Sequence, residues 1–367
     1  METLKDCHFV PSHRCQTRRC SITVNDILRQ THWACLLLIF CIAASCTGAD
    51  DREFLDDQAN LLNKESGQRI ITYHRALLTD FDIHCKLVTL ARPSQDINGA
   101  AIELFDNLGA STGQARGLLF LVDPLGEQVR IEVGYDLEHI FPDAFVGHIE
   151  RRQMVPFFQR GLVGAGIEAT EELFITRIQR SSAGQPFDAA VELGAIGHYS
   201  GGGGARQQVV IGSEELANQP STTDPDNYQP GASPEQSLAV YRQVLLDKVK
   251  DPNLPLYTPQ TRKFLSAWVV TDAQQDNALR SLRDATIDQV LVSGSRAVIR
   301  FPLPHRTHPP YLLKNNGQGW EIDFATMNQV IRMNHRNMWH FTTQEHPYRF
   351  GFTDWNFDNH GFPVAEP

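Results

Sequence analysis

The chain has 367 residues, 41% of them hydrophobic and 21% charged, with 43 acidic against 33 basic side chains and a formal net charge of −10. That composition suits a globular protein of two or three domains. Basic residues form no run longer than pairs such as Arg18-Arg19 and Arg151-Arg152, which argues against a nucleic-acid partner, because backbone binding needs a clustered basic face.

The first fifty residues stand apart. Lys5, Arg14, Arg18, Arg19 and Arg29 precede the apolar run "ACLLLIFCIAAS" at 34–45. The run is short for a bilayer span and has the length of a signal-peptide core. It ends in small residues before Cys46, and "AASC" resembles a bacterial lipobox, which implies lipidation of Cys46 after cleavage. Plain cleavage near Ala44 or Ala49 is the alternative. Residues 1–49 are therefore read as an export segment, and the protein as periplasmic or held to a bacterial membrane by lipid. Five cysteines fall inside that segment, Cys46 ends it, and only Cys85 remains, on the apolar stretch "IHCKLVTLA". Cys85 reads as a small core hydrophobe.

Residues 50–180 read as one α/β unit. Leu61, Leu62, Ile70, Ile71, Ala76 and Leu77 recur at near-helical spacing, with a break at Ser66-Gly67. "IHCKLVTLA" (83–91) predicts a strand and "NGAAIELFDNLGA" a helix ending at Gly109. "RGLLFLVDP" (116–124) predicts a strand buried on both faces, turned by "DPLGE" into a partner, "EQVRIEVGY" (127–135). Helices follow at about 142–160 and 163–180, Pro142 suiting a first helical position. Long helices alternating with short apolar strands predict a helix–sheet–helix sandwich of mixed strand direction.

Residues 181–233, with "SGGGGARQ" and "ANQPSTTDPDNYQPGASP", read as a flexible linker. The glycines at 201–204 lack the Lys-Ser/Thr of a phosphate loop. A second unit, 234–340, opens with the amphipathic helix "PEQSLAVYRQVLLDKV", continues with two more helices, and ends in four strand-like segments, "IDQVLVSG", "RAVIRFPLP", "PPYLLKNN" and "GWEIDFATM". This is an α+β pattern. Residues 341–367 read as a tail wrapped on the unit or partly disordered.

The chemistry gathers in "RIEVGYDLEHIFPDA" (130–144), where Asp136, Glu138 and Asp143 crowd one connection. With Asp57 brought in from the head of the first helix, they would offer hard oxygens suited to Ca²⁺, or to Mg²⁺ with retained waters. The plainer reading is capping: Asp143 after Pro142 would gain roughly 0.3–1 kcal/mol from the helix dipole. Arg116 and Arg130 flank the hairpin and would hold a phosphate or carboxylate, or else a structural ion pair. His305 and His308, three apart in a Pro-bounded loop, and His335 and His340 beside Trp339 lack further ligands in sequence and read as loop and packing residues. Asp323 reads as a pocket acid or a polar alternate on a strand. No His-Glu-x-x-His, Gly-x-Ser-x-Gly or Cys-x-x-Cys is present.

"DDQANLL", "RGLLFLV", "RIEVGYDLEHIFPDAF" and "VPFFQRGLVGAGIEA" resemble the TPM domain family over about 54–180. That family includes the thylakoid-lumen acid phosphatase linked to photosystem II repair and exported bacterial proteins. The resemblance implies an exported or membrane-anchored α/β/α domain, and an acid-phosphatase or calcium-binding role. "PEQSLAVYRQVLL", "RAVIRFPL" and "GQGWEIDFATM" resemble the NTF2-like cone, a fold that hosts enzymes, ligand pockets and dimer modules alike. The expectation is an envelope binding or assembly factor with an unidentified protein partner, whose Asp57, Asp136, Glu138 and Asp143 hold a divalent cation. The alternative is a metal-assisted acid phosphatase acting on phosphate monoesters.

Overall fold

A computed structural model describes residues 51–112, 116–192, 209–210, 224–283, 285–303 and 306–364. The export segment with Cys46, the glycines at 201–204 and His305 lie outside the described residues. Asp51–Pro367 forms one compact unit.

The first half is built on a sheet in which β1 (Leu55–Asp57), β2 (His84–Thr89) and β3 (Gly117–Asp123) run parallel, while β4 (Gln128–Val133) and the short β5 (Val209–Val210) complete it antiparallel. Its main helices are α1 (Lys64–Phe81), α2 (Ile97–Thr112), α3 (Asp143–His148), α4 (Val155–Gln159) and α5 (Val163–Ser182). A π-helical stretch, Ile149–Met154, joins α3 to α4. The period-two rule fixes the layers. Leu118, Phe120 and Val122 of β3 pack into a core with Ile70 and Leu77 of α1 and Ile167, Phe174 and Ile178 of α5. Leu119 and Leu121, on the opposite face, pack against Ile97 and Ala101 of α2. The expected helix–sheet–helix sandwich and its hairpin are present. Pro142 is the N-cap, one residue before Asp143, the first residue of α3.

The segment expected to be a plain linker is partly built into the fold. Helix α5 runs on to Ser182, a short α6 (Ala189–Glu192) follows, and β5 pairs with β4. The second half carries α7 (Pro234–Leu246), α8 (Pro259–Ser266) and α9 (Asp272–Arg283), then the antiparallel meander β6 (Gln289–Ser293), β7 (Arg296–Arg300), β8 (Tyr311–Asn315) and β9 (Trp320–Ile322). Ser233 closes a capping box at the start of α7.

The number and order of these strands match the expectation, but the sheet does not appear as an open cone. One face packs Ala297, Ile299 and Leu313 against Leu238, Leu245 and Phe324. The other packs Val298 and Leu312 against Trp339, Phe341, Tyr348 and Phe352. Residues of the expected tail thus seal the second face. The end of "WEIDFATM" is helical: α10 (Phe324–Val330) starts there, capped by Asp323. The strand pairs β10 (Ile331–Met333) with β11 (Trp339–Phe341) and β12 (Asn356–Phe357) with β13 (Pro363–Val364) follow.

The two halves are packed together. Phe157, Ala169 and Val269 form a small core with Leu162 and Trp268, and the Phe157 and Trp268 rings meet edge to face, 5.9 Å apart. Thr271 Oγ1 donates to Gln153 Oε1, Arg152 lies 3.7 Å from Asp272, and Asp80 pairs with both His335 and Arg336.

Candidate functional site

The four acidic residues singled out in the sequence do not converge. Asp57 ends β1, level with Thr89 at the end of β2. Its Oδ1 accepts from Leu61 N and Thr89 Oγ1 and its Oδ2 from Leu62 N, so the carboxylate folds its own loop. Asp136, Glu138 and Asp143 leave from the other end of the sheet: β4 finishes opposite the start of β3, where Leu118 faces Val133. A strand the length of β2 separates the two ends, roughly 16 Å. Asp136, Glu138 and Asp143 are each exposed. Among the described residues no group of three or more His, Cys, Asp or Glu is placed to hold a metal ion. These donors therefore do not fit one calcium or magnesium ion, which needs six or more convergent oxygens.

The flanking arginines are engaged. Arg116 donates to Asp82 O and Phe81 O at the end of α1, and Arg130, 3% exposed, pairs with Glu132 at 2.7 Å. Asp123 accepts from Ser94 N and Gly126 N, pinning the turns beside it. Asp323 is a cap and not a pocket acid: its oxygens accept from Thr326 N, Thr326 Oγ1 and Tyr348 OH. His335 pairs with Asp80 across the two halves, and His340 packs on Phe362. Cys85 is buried, and burial pushes its thiol well above the ordinary range.

Where the halves meet, they line a half-open cavity of about 490 Å³, within the range of small-molecule sites. One wall is α5, through Ala169, Glu172, Leu173, Thr176 and Arg180. The facing wall is α9, where Gln274, Asn277, Ala278 and Ser281 recur at helical spacing and so share one face. Tyr73 of α1, the stretch Thr307–Pro309 and residues around Asn334 complete it.

The cavity has two electrostatic ends. At one, Tyr73 OH donates to Met333 O, and desolvation, helped by Glu172, pushes the phenol up to about 12. Glu172 is open to solvent yet hemmed by protein. Desolvation raises its carboxyl above the ordinary value, Arg69 and Arg332 opposing and Glu168 adding to it. At the other end, Arg177, Arg180 and Arg280 surround one carboxylate, Glu192. Arg177 is saturated: it donates to Ile140 O, Gln185 O and Glu192 Oε1. Arg280, 9% exposed, donates one NH to Glu192 O at 2.7 Å, and its Nε has no hydrogen-bond partner among the described residues. Arg180 Nε stands 3.9 Å from Glu192 and likewise makes no hydrogen bond. Desolvation lowers the Arg280 guanidinium to about 10, Glu192 and Asp276 opposing and Arg180 and Arg283 adding to it.

Sequence reasoning missed this site. Its residues lie in five separate stretches, three of them helical, where a polar residue looks like a solvated face, and two of them in strand ends and turns. Only the run Gln274, Asn277, Ser281 around Ala278 carries a weak signal, polar residues recurring at helical spacing.

A three-layer α/β unit packed on an antiparallel α+β unit, with a cavity of mixed polar and apolar lining between them, is the class of protein this geometry defines. The TPM domain model matches residues 55–176, the α/β unit. A solution NMR structure of the N-terminal domain of a protein from P. gingivalis is similar at 24% identity and a TM-score of 0.32, over 37% of this chain and 87% of that one. No curated protein matches the chain.

Proposed function

We propose that the protein is an exported binding factor of the cell envelope that takes a small ligand in the cavity between its two halves. The observation that carries the reading is the cavity itself: about 490 Å³, half open and lined from both halves by polar and apolar side chains. A concave, mostly preformed space with a few convergent polar groups is the usual form of a ligand site. Ligand in such a place would also tie the halves together, which suits a factor whose surface is read by an envelope partner. Export, and anchoring through Cys46, belong to this proposal through the N-terminal apolar run and its "AASC" end.

The test is a thermal-shift screen of small polar and amphiphilic compounds against the protein and an Ala278→Trp variant, which fills the cavity from α9. Binding that raises the melting temperature of the wild type and disappears in the variant supports the reading. Hits that bind both forms alike place the site elsewhere.

A second reading, hydrolysis of phosphate monoesters, is supported by the TPM match at 55–176. The donors Asp57, Asp136, Glu138 and Asp143 give it no common metal site, so no metal-assisted step is drawn through them. Turnover of p-nitrophenyl phosphate that is lost in Asp136→Asn/Glu138→Gln would favour it. Turnover no faster than buffer would set it aside.

A further inference from the structure

Two arginines beside this cavity are under-used. Arg280 is about nine-tenths buried, spends one NH on Glu192 O, and keeps an Nε with no partner among the described residues. Arg180 lines the same end, with its Nε equally partnerless and only a 3.9 Å contact to Glu192. Glu192 already gives its carboxylate to Arg177. Three guanidinium groups therefore gather on one carboxylate, Arg177 and Arg280 buried and Arg180 partly exposed, while Asp276, the other carboxylate acting on Arg280, is taken up by Lys248. An unbalanced buried cation is costly, and a buried N–H left without an acceptor adds to the cost. An anion placed there would relieve both, and a guanidinium recognises planar or tetrahedral oxyanions through paired N–H donors. The acidic member of the cavity lining, Glu172, answers to Arg69 and Arg332, and the carboxylates acting on Arg280, Glu192 and Asp276, are already engaged by Arg177 and Lys248. Away from the two arginines the lining turns apolar through Leu173, Ala278, Leu282 and Phe301.

The geometry points to an amphiphilic oxyanion as the ligand class: a carboxylate or phosphate head at Arg180 and Arg280, and an apolar body along Leu173, Ala278, Leu282 and Phe301. This rests on the cavity being a ligand site, and it adds the sign of the head group and the direction in which the ligand lies. The oxyanion is bound and not cleaved.

The test is titration calorimetry of the whole chain with hexanoate, phenyl phosphate, hexanol and hexylamine. At least one of the two anions binds, and their ratio tells a carboxylate site from a phosphate site. Hexanol and hexylamine bind about tenfold more weakly or worse, as expected when a charged hydrogen-bonding partner is removed. Arg280→Gln gives up the bond to Glu192 O and threatens the fold, so Arg180→Gln is the decisive variant. It weakens the bound anion by about tenfold and leaves hexanol unchanged. The inference is overturned if hexanol or hexylamine matches the anions, or if Arg180→Gln binds anions as the wild type does. In that event, loss of hexanol binding in Ala278→Trp would keep the cavity as the site. Binding of every probe unaffected by Ala278→Trp would remove the cavity reading itself.

Discussion

Glu150 is 2% exposed and accepts from Ile131 N at 3.3 Å, its carboxyl standing in for a neighbouring strand beside β4. Desolvation pushes it up to about 8, against the pull of Arg130 and the Ile131 N–H. The unfolded chain would release that proton near 4.5. Between those values the folded state holds more protons, so stability falls as pH rises, by at most about 3–5 kcal/mol over the window. His74 acts in the same direction. Desolvation lowers its pKa, but Glu171, 3.0 Å away, outweighs that and raises it, so its contribution is full at low pH and is lost as pH rises through the folded value. Glu150→Gln keeps an acceptor for Ile131 and cannot ionise. It should raise the melting temperature at pH 8 and change it little at pH 5, as read by circular dichroism. An equal effect at both pH values would contradict the buried, protonated carboxyl.

At the scale of elements, Gly164 shows that close backbone contact, as well as the Asp57 carboxylate, holds the opening of the first half in shape. A Cβ there would stand 2.3 Å from Leu61 O, in the loop that Asp57 folds by accepting from Leu61 N and Leu62 N. Gly164→Ala should therefore cost roughly 1–2 kcal/mol despite the better helix propensity of alanine, because backbone meets Cβ. Denaturant titration checks it; a gain in stability would contradict the close approach. The strands of this half were legible in the sequence because β3 is apolar at every second position on both faces and the turn chemistry of "DPLGE" announces the hairpin. The acidic cluster was legible as a cluster but not as a surface: sequence adjacency of Asp136, Glu138 and Asp143 says nothing of where Asp57 falls. That is fixed only by the parallel pairing of β1 with β2. The second half shows the expected antiparallel sheet, but the packing on its second face was not legible, for a similar reason. Trp339, Phe341 and Phe352 have no period, and their role as a cover for Val298 and Leu312 is a long-range fact.

For the whole molecule, the halves share a boundary core of Phe157, Ala169 and Val269, and Ala273 of α9 joins the larger core of the first half. They should unfold together. Among the described residues every Trp lies between 268 and 355, so fluorescence reports the second half while circular dichroism reports both. The two probes should give coincident thermal transitions. Trp268→Ala, which removes the edge-to-face contact with Phe157, should lower both by a common shift of about 1–3 kcal/mol. Separate transitions in the wild type would mean the halves are joined only by chain.

The account turns on where a ligand sits, and amide chemical-shift mapping of the ¹⁵N-labelled protein with a bound hit from the thermal screen reads that directly. The account predicts perturbations in both halves at once, around Glu172–Arg180, Gln274–Leu282 and Thr307–Pro309. Perturbations confined to the sheet end at Asp57, Thr89 and Asp123, or to the connection at Tyr135–Asp143, would contradict it.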